Sequence, residues 1–365
     1  MVQYRGVLLS YVLLQFDVPL AMRNLLFITA SFGLTILCWG IYGPVLHWGQ
    51  EGMATTEDQY ARLRPFVCVG LAYFLIGVVI PIVWLVTRGE KGHWTTSGTL
   101  LSLAAGILGA VGALGIILAF NSGGKPIYVM PLVFGGAPIV NAFLTVYLVH
   151  KLKQIGPLFL AGLIMVALGA VIVLVFAPTA QSGEWTSNPV KWVIQLASIA
   201  LVIVCWGSYG PILHKGQASM QQSRLRPLLC VGLAYFAIAV VVPNMLLPVW
   251  PEESTYNLGG SFWSLAAGAA GALGALGVIL TFNFGGKPIY VMPLIFGGAP
   301  VVNTIFSAAV QGDLHHLKPT FLAGLILVIG GAAVVLVFAP RGGAPPKTKA
   351  KAEPAVPPKE PDANQ

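Results

Sequence analysis

Charge is scarce in this chain. Of 365 residues only 20 are Lys or Arg and 12 are Asp or Glu, 9% in all, where a soluble domain carries about 25%. Apolar residues make up 56% and the mean hydropathy is +0.82. A soluble fold of this length could not cover its surface with so few charges. A soluble enzyme, a DNA-binding domain, a disordered chain and a secreted disulfide scaffold are therefore poor readings. The net charge of +8 does not signal nucleic acid, because the basic residues are scattered through loops and the C-terminal tail. Cysteine is scarce too. Cys38, Cys68, Cys205 and Cys230 all lie in apolar runs, without C-x-x-C or zinc spacing, and read as small buried hydrophobes.

Other absences narrow the chemistry. A bilayer core takes about 20 apolar residues per helix, and ten runs qualify: 25–47, 66–87, 99–120, 126–149, 158–177, 192–213, 228–249, 262–282, 288–310 and 319–339. All twelve acids fall outside these runs. Intramembrane carboxylates are the usual mark of a proton relay or a cation site, and paired ones of acid–base catalysis. Neither is expected here. The segment SGGKP at 122–126 has Pro after its Lys and is not a phosphate loop. The six histidines, at span ends or in loops, form no HExxH or Ser/His/Asp pattern. The chain reads as no enzyme, with no cofactor or metal implied.

What is present is a repeat. NSGGKPIYVMPLVFGGAPIVN at 121–141 returns as NFGGKPIYVMPLIFGGAPVVN at 283–303, with three differences. RLRPFVCVGLAYF at 62–74 returns as RLRPLLCVGLAYF at 224–236, and CWGIYGP at 38–44 as CWGSYGP at 205–211. Residues 25–178 and 192–340 thus form two five-span copies, joined by an outer linker at 179–191. Residues 1–24 read as an interfacial segment or a start-site artefact. The Pro/Lys/Ala-rich stretch 341–365 reads as a disordered cytoplasmic tail. A unit with an odd number of spans re-enters the membrane from the other side when repeated, so the expected fold is all-α, ten transmembrane helices in two inverted five-helix repeats. With both termini in the cytoplasm, 15 of the 20 basic residues fall in inner segments, as the positive-inside rule asks.

Within the spans, Asn141 and Asn303 each follow GGAP, whose glycines and proline are expected to break or bend the helix beside a cavity. Each lies about 6 Å from the midplane at 1.5 Å per residue. They line a cavity or make structural interhelical bonds. Trp39 and Tyr42, matched by Trp206 and Tyr209, are expected as the aromatic walls of the same central site, suited to a neutral polar or ring-bearing solute. An interfacial aromatic belt is the alternative. The glycine rows Gly106, Gly109, Gly112, Gly115 and Gly268, Gly271, Gly274, Gly277 allow tight packing or a sliding surface. Lys125 and Lys287, and Arg64 and Arg226, are paired between the copies on opposite faces, which the positive-inside rule alone does not explain. A gate or anion contact, snorkelling to lipid phosphate, or incomplete divergence would each account for them.

Ten spans in a five-plus-five inverted duplication, CWGxYGP in the first span of each copy, and Gly/Pro-rich fourth and ninth spans together resemble the drug/metabolite transporter superfamily, in its EamA-like and sugar-transporter-like ten-helix carriers. The resemblance covers about residues 25–340. It implies alternating access around a central cavity, in a monomer or homodimer in the cell (inner) membrane. The expected partners are a small polar solute, such as a sugar or related metabolite, and the lipid bilayer, with no nucleic acid. The expected function is a secondary transporter, facilitator or exchanger. A structural or regulatory membrane subunit that keeps this fold and moves nothing is the alternative.

Overall fold

The computed structural model describes residues 20–56, 60–148, 155–176, 189–311 and 317–338. The tail at 341–365, most of the 1–24 segment and most of the 179–191 linker lie outside the described residues. The described residues are helical apart from their connections: α1 (Leu20–Met53), α2 (Leu63–Arg88), α3 (Thr96–Asn121), α4 (Pro126–Leu148), α5 (Pro157–Val175), α6 (Pro189–Ser219), α7 (Leu225–Leu246), α8 (Leu258–Asn283), α9 (Pro288–Gln311) and α10 (Pro319–Phe338). Seven of them, α1 to α4 and α6 to α8, are long and apolar enough to cross a membrane, and α5, α9 and α10 hold shorter apolar stretches. Large apolar side chains lie bare on the outer faces, among them Val86, Ile164, Leu37 and Val193. Water would penalise such a surface and lipid does not. The chain is an integral membrane protein.

Helix starts follow from the sequence. Five helices, α4, α5, α6, α9 and α10, open on proline, whose fixed φ suits the first turn and whose missing N–H costs nothing there. Helix α3 is capped by Thr95, which accepts from Gly98 N–H, and α8 by Asn257, which accepts from Gly260 N–H. The repeated GGKP segments reverse the chain between α3 and α4 and between α8 and α9. Gly123 and Gly285 take φ of 95° and 100° there, a region closed to most side chains. Helix α1 begins at Leu20 rather than at 25, so Met22 falls inside it. It also runs on to Met53 and so takes in Glu51, an acid expected beyond the first span.

Proline inside the helices acts unequally. Helices α4 and α9 run on through their GGAP segments without interruption, so of the expected break or bend no break occurs. In α2 and α7 the helix instead widens into π-turns at Leu75–Val79 and Phe236–Val241. Pro81 and Pro243 follow them and withhold the N–H that the carbonyl four residues earlier would accept.

Packing crosses between the two copies. Helix α1 lies along α8 and α3 along α6. Helix α4 packs on α6 and α9 on α1, α5 pairs with α10, and α2 meets α7. Each contact of one copy thus has its counterpart with the copies exchanged. Small residues set the approach: Gly162 faces Gly331 and Val335 backbone, and Gly169 faces Gly324 and Val328 backbone, between α5 and α10.

Candidate functional site

The glycine rows do two jobs. Gly106 and Gly268 let α3 and α8 approach the backbones of Val231 and Val69. One and two turns along, the missing side chains make room for rings. A Cβ at Gly112 would collide with the Trp206 indole, and one at Gly274 with that of Trp39. Each indole then finds a partner in the row. Trp39 Nε1 donates to the Gly271 carbonyl at 3.3 Å, and Trp206 Nε1 to the Gly109 carbonyl at 3.3 Å. A buried indole N–H needs such a partner, so the rows fix where the tryptophans lie.

Between them is a cavity of about 30 Å³, lined by Trp39, Tyr42, Tyr73, Gly109, Trp206, Tyr209, Tyr235 and Gly271. Every one of these residues lies near the middle of its helix, so the cavity sits halfway through the bundle. Its size suffices for a water molecule. Trp39 and Trp206 are near-parallel, with centroids 6.4 Å apart and planes inclined by 24°. Tyr209 meets Trp39 edge-on at 6.1 Å, and Tyr42 meets Trp206 likewise at 6.1 Å. Phe134 and Phe296 close a belt of four rings with the two tryptophans. Tyr73 and Tyr235 stack at 3.5 Å. None of the lining side chains is charged. The Tyr42 and Tyr209 hydroxyls are buried without a hydrogen-bond partner, although each residue is only 4% exposed. A buried hydroxyl in that state costs about 1–3 kcal/mol.

Four of the residues expected at the central site, Trp39, Tyr42, Trp206 and Tyr209, thus meet around one space. Asn141 and Asn303 do not line it. Both are fully buried and tie α4 to α9: Asn141 Nδ2 donates to the Pro288 carbonyl at 3.4 Å, and Asn303 Nδ2 to the Pro126 carbonyl at 3.0 Å. Each amide therefore reaches the first residue of the other helix, and in both the Oδ1 finds no partner. Lys125 and Lys287 stand at the starts of these helices, where their carbonyls accept the N–H groups of Val129 and Val291. They are absent from the cavity lining.

Sequence reasoning missed two acids at the ends of the bundle. Glu252, in the α7–α8 connection, accepts from the backbone N–H groups of Arg62, Leu63 and Arg64 at 2.9–3.0 Å. It caps α2, a helix of the other copy. Arg64 Nη1 and Arg62 Nε approach it at 3.7 and 3.9 Å. At the opposite end, Glu90 in the α2–α3 connection accepts from Arg224 N–H at 2.8 Å and Leu225 N–H at 3.1 Å. It caps α7, with Arg224 Nε at 3.1 Å and Arg226 Nη1 at 3.7 Å. Both carboxylates are 5% exposed. Arg64 lies over the Tyr256 ring and Arg226 over that of Trp94. The anion facing the repeated arginines is thus the protein's own. Burial pushes both carboxyls up, but the hydrogen bonds more than offset it and hold each below its ordinary value. The signal was present in the sequence: Glu90 and Glu252 stand at the offset that relates Arg62 to Arg224, inside connections that otherwise diverge.

No protein-family profile and no curated protein matches the chain. A solved crystal structure, described only as that of a protein, superposes on 86% of this chain and 97% of its own, with a TM-score of 0.56 and 20% identity. That likeness concerns the fold alone.

Proposed function

We propose that the chain is a secondary carrier of the drug/metabolite transporter kind, a facilitator or exchanger that moves a small uncharged solute by alternating access. In this reading ten helices cross the cell (inner) membrane in two inverted five-helix repeats. Both termini lie in the cytoplasm, and the bilayer is the protein's constant partner. The observation that carries it is the placement of the cavity. It lies midway along the helices, on the seam between the copies, with two unpartnered hydroxyls on residues of its lining and one Glu/Arg latch at each end of the bundle. A carrier needs such a site and two barriers that open in turn. The Glu252 latch closes the outer exit and the Glu90 latch the inner one. Opening either requires α2 or α7 to leave the carboxylate of the other copy.

The test is a melting screen of the purified protein against uncharged metabolites, followed by counterflow in liposomes for any that stabilise it. A carrier shows solute-dependent uptake that saturates and is lost when both latches are locked by crosslinks. The small size of the cavity and the interhelical bonds of Asn141 and Asn303 favour the second reading, a membrane subunit that moves nothing. That reading predicts no counterflow for any solute that binds.

A further inference from the structure

The lining of the central cavity limits the solute more sharply than the carrier reading does. Six aromatic rings and two glycines surround it. The glycine carbonyls already accept the indole N–H groups and the Tyr73 and Tyr235 hydroxyls bond each other, so the lining side chains left without a partner are two phenols, Tyr42 and Tyr209. A sugar brings four or five hydroxyls, and each one buried without a partner costs about 1–3 kcal/mol. A zwitterionic amino acid finds neither a base for its carboxylate nor an acid for its ammonium. A simple cation meets ring faces but no counter-charge at mid-bilayer, where charge is expensive. An anion meets the same faces, which repel it.

The geometry points to a flat, uncharged ring that carries one hydrogen-bonding group at each of two opposite edges. Trp39 and Trp206 lie within 24° of parallel with centroids 6.4 Å apart, so a flat ring stacks on both once the two indoles part slightly. A puckered ring touches neither over its full area. A flat ring is also only about 3.5 Å thick, so it demands the least widening of a cavity this small. Tyr42 stands at the Trp206 side and Tyr209 at the Trp39 side. Each hydroxyl meets one edge of the ring. Because the two copies supply equivalent groups, the solute can enter in either of two orientations and meet the same partners. The inference rests on the carrier reading for transport, while binding itself needs only the cavity.

The test uses two compounds with the same polar groups at the same ends. One is 4-hydroxybenzamide, which is flat; the other is 4-hydroxycyclohexanecarboxamide, its saturated and puckered counterpart. Binding to the detergent-solubilised full chain is read by quenching of tryptophan fluorescence and by calorimetry. The flat compound is expected to bind at least about tenfold more tightly than the puckered one. Tyr42→Phe and Tyr209→Phe should each weaken it roughly three- to tenfold, with melting temperatures unchanged or raised because an unpartnered hydroxyl is removed. Equal binding of the two compounds, tighter binding of glucose or tetramethylammonium, no effect of either substitution, or no binding of the flat compound up to millimolar concentration overturns the inference. Binding of the flat compound without counterflow in liposomes would overturn the carrier reading and leave the site assignment standing. Counterflow of glucose alone would do the reverse.

Discussion

Gly274 and Gly112 show how single residues govern the centre of the bundle. Each occupies the space where a side chain would displace an indole. Gly274→Ala should destabilise the protein by about 1–3 kcal/mol, the usual range for overpacking, and alter the emission of Trp39. Gly259→Ala is the control. It lies near the start of the same helix, where an added Cβ meets only the Asn257 side chain at 3.8 Å. Melting in detergent should separate the two. Equal melting temperatures would mean that Trp39 does not lie in the groove described. The tryptophans were legible in the sequence, because Trp39 lies too deep in its span for an interfacial belt, whereas the depth of Tyr42 left it ambiguous. The role of the glycines was half legible. Their spacing gives a smooth helix face, but whether backbone or ring fills it depends on the register of the opposing helix, which pattern alone does not contain.

At the level of elements, the two latches are caps exchanged between copies. A carboxylate that accepts two or three backbone N–H groups satisfies donors that a helix start leaves free and places negative charge at the positive end of the helix. Glu252→Gln keeps the shape and removes the charge, at a cost of about 1–3 kcal/mol. The pH dependence follows from the lowered carboxyls. With folded values below the ordinary 4.5, the latches contribute in full above that pH and fade as acid protonates them. The melting temperature should drop more steeply below pH 4.5 in the native protein than in the double variant Glu90→Gln, Glu252→Gln. Parallel curves would remove the latches from the account. Two native thiols report on opening. Cys68 is 4% exposed behind the Glu252 latch and Cys230 is 1% exposed behind that of Glu90. A membrane-impermeant maleimide should label Cys68 faster in Glu252→Gln and Cys230 faster in Glu90→Gln. Unchanged labelling in both would show that the latches are static caps.

The latches also mark what the sequence concealed. Scanning for intramembrane acids discards Glu90 and Glu252 because they lie in connections, although both are buried. Their matching offset in the sequence pairs them, but that they are buried appears only where the chain returns to meet α2 and α7 of the other copy. The asparagines are a different case. Their depth in the span left a cavity wall and an interhelical bond both open, because depth does not fix azimuth, and both amides turn to the opposing helix start. The GGAP segments were expected to break or bend α4 and α9. The helices absorb them, and the prolines that do distort the helix are Pro81 and Pro243, which carried no special signal beyond their position.

Across the whole molecule, the account holds that two copies of one helical unit cross the bilayer in opposite senses and enclose a solute between them. The sequence made the all-helical membrane architecture plain through its apolar runs and its repeat. The structure adds an exchange of contacts between the copies, in which Trp39 and Tyr42 meet Trp206, Tyr209 meets Trp39, Tyr73 stacks on Tyr235, and Glu90 and Glu252 each cap a helix of the other half. A parallel repeat would leave equivalent connections on the same side of the membrane. The direct measurement is therefore made in a variant whose four cysteines are replaced, with single thiols restored as Thr55→Cys after α1 and Gln222→Cys after α6. An impermeant maleimide added to intact cells should label position 55 and spare position 222 until the membrane is opened. Labelling of both from the same face would contradict the opposed arrangement and, with it, a solute site on the seam.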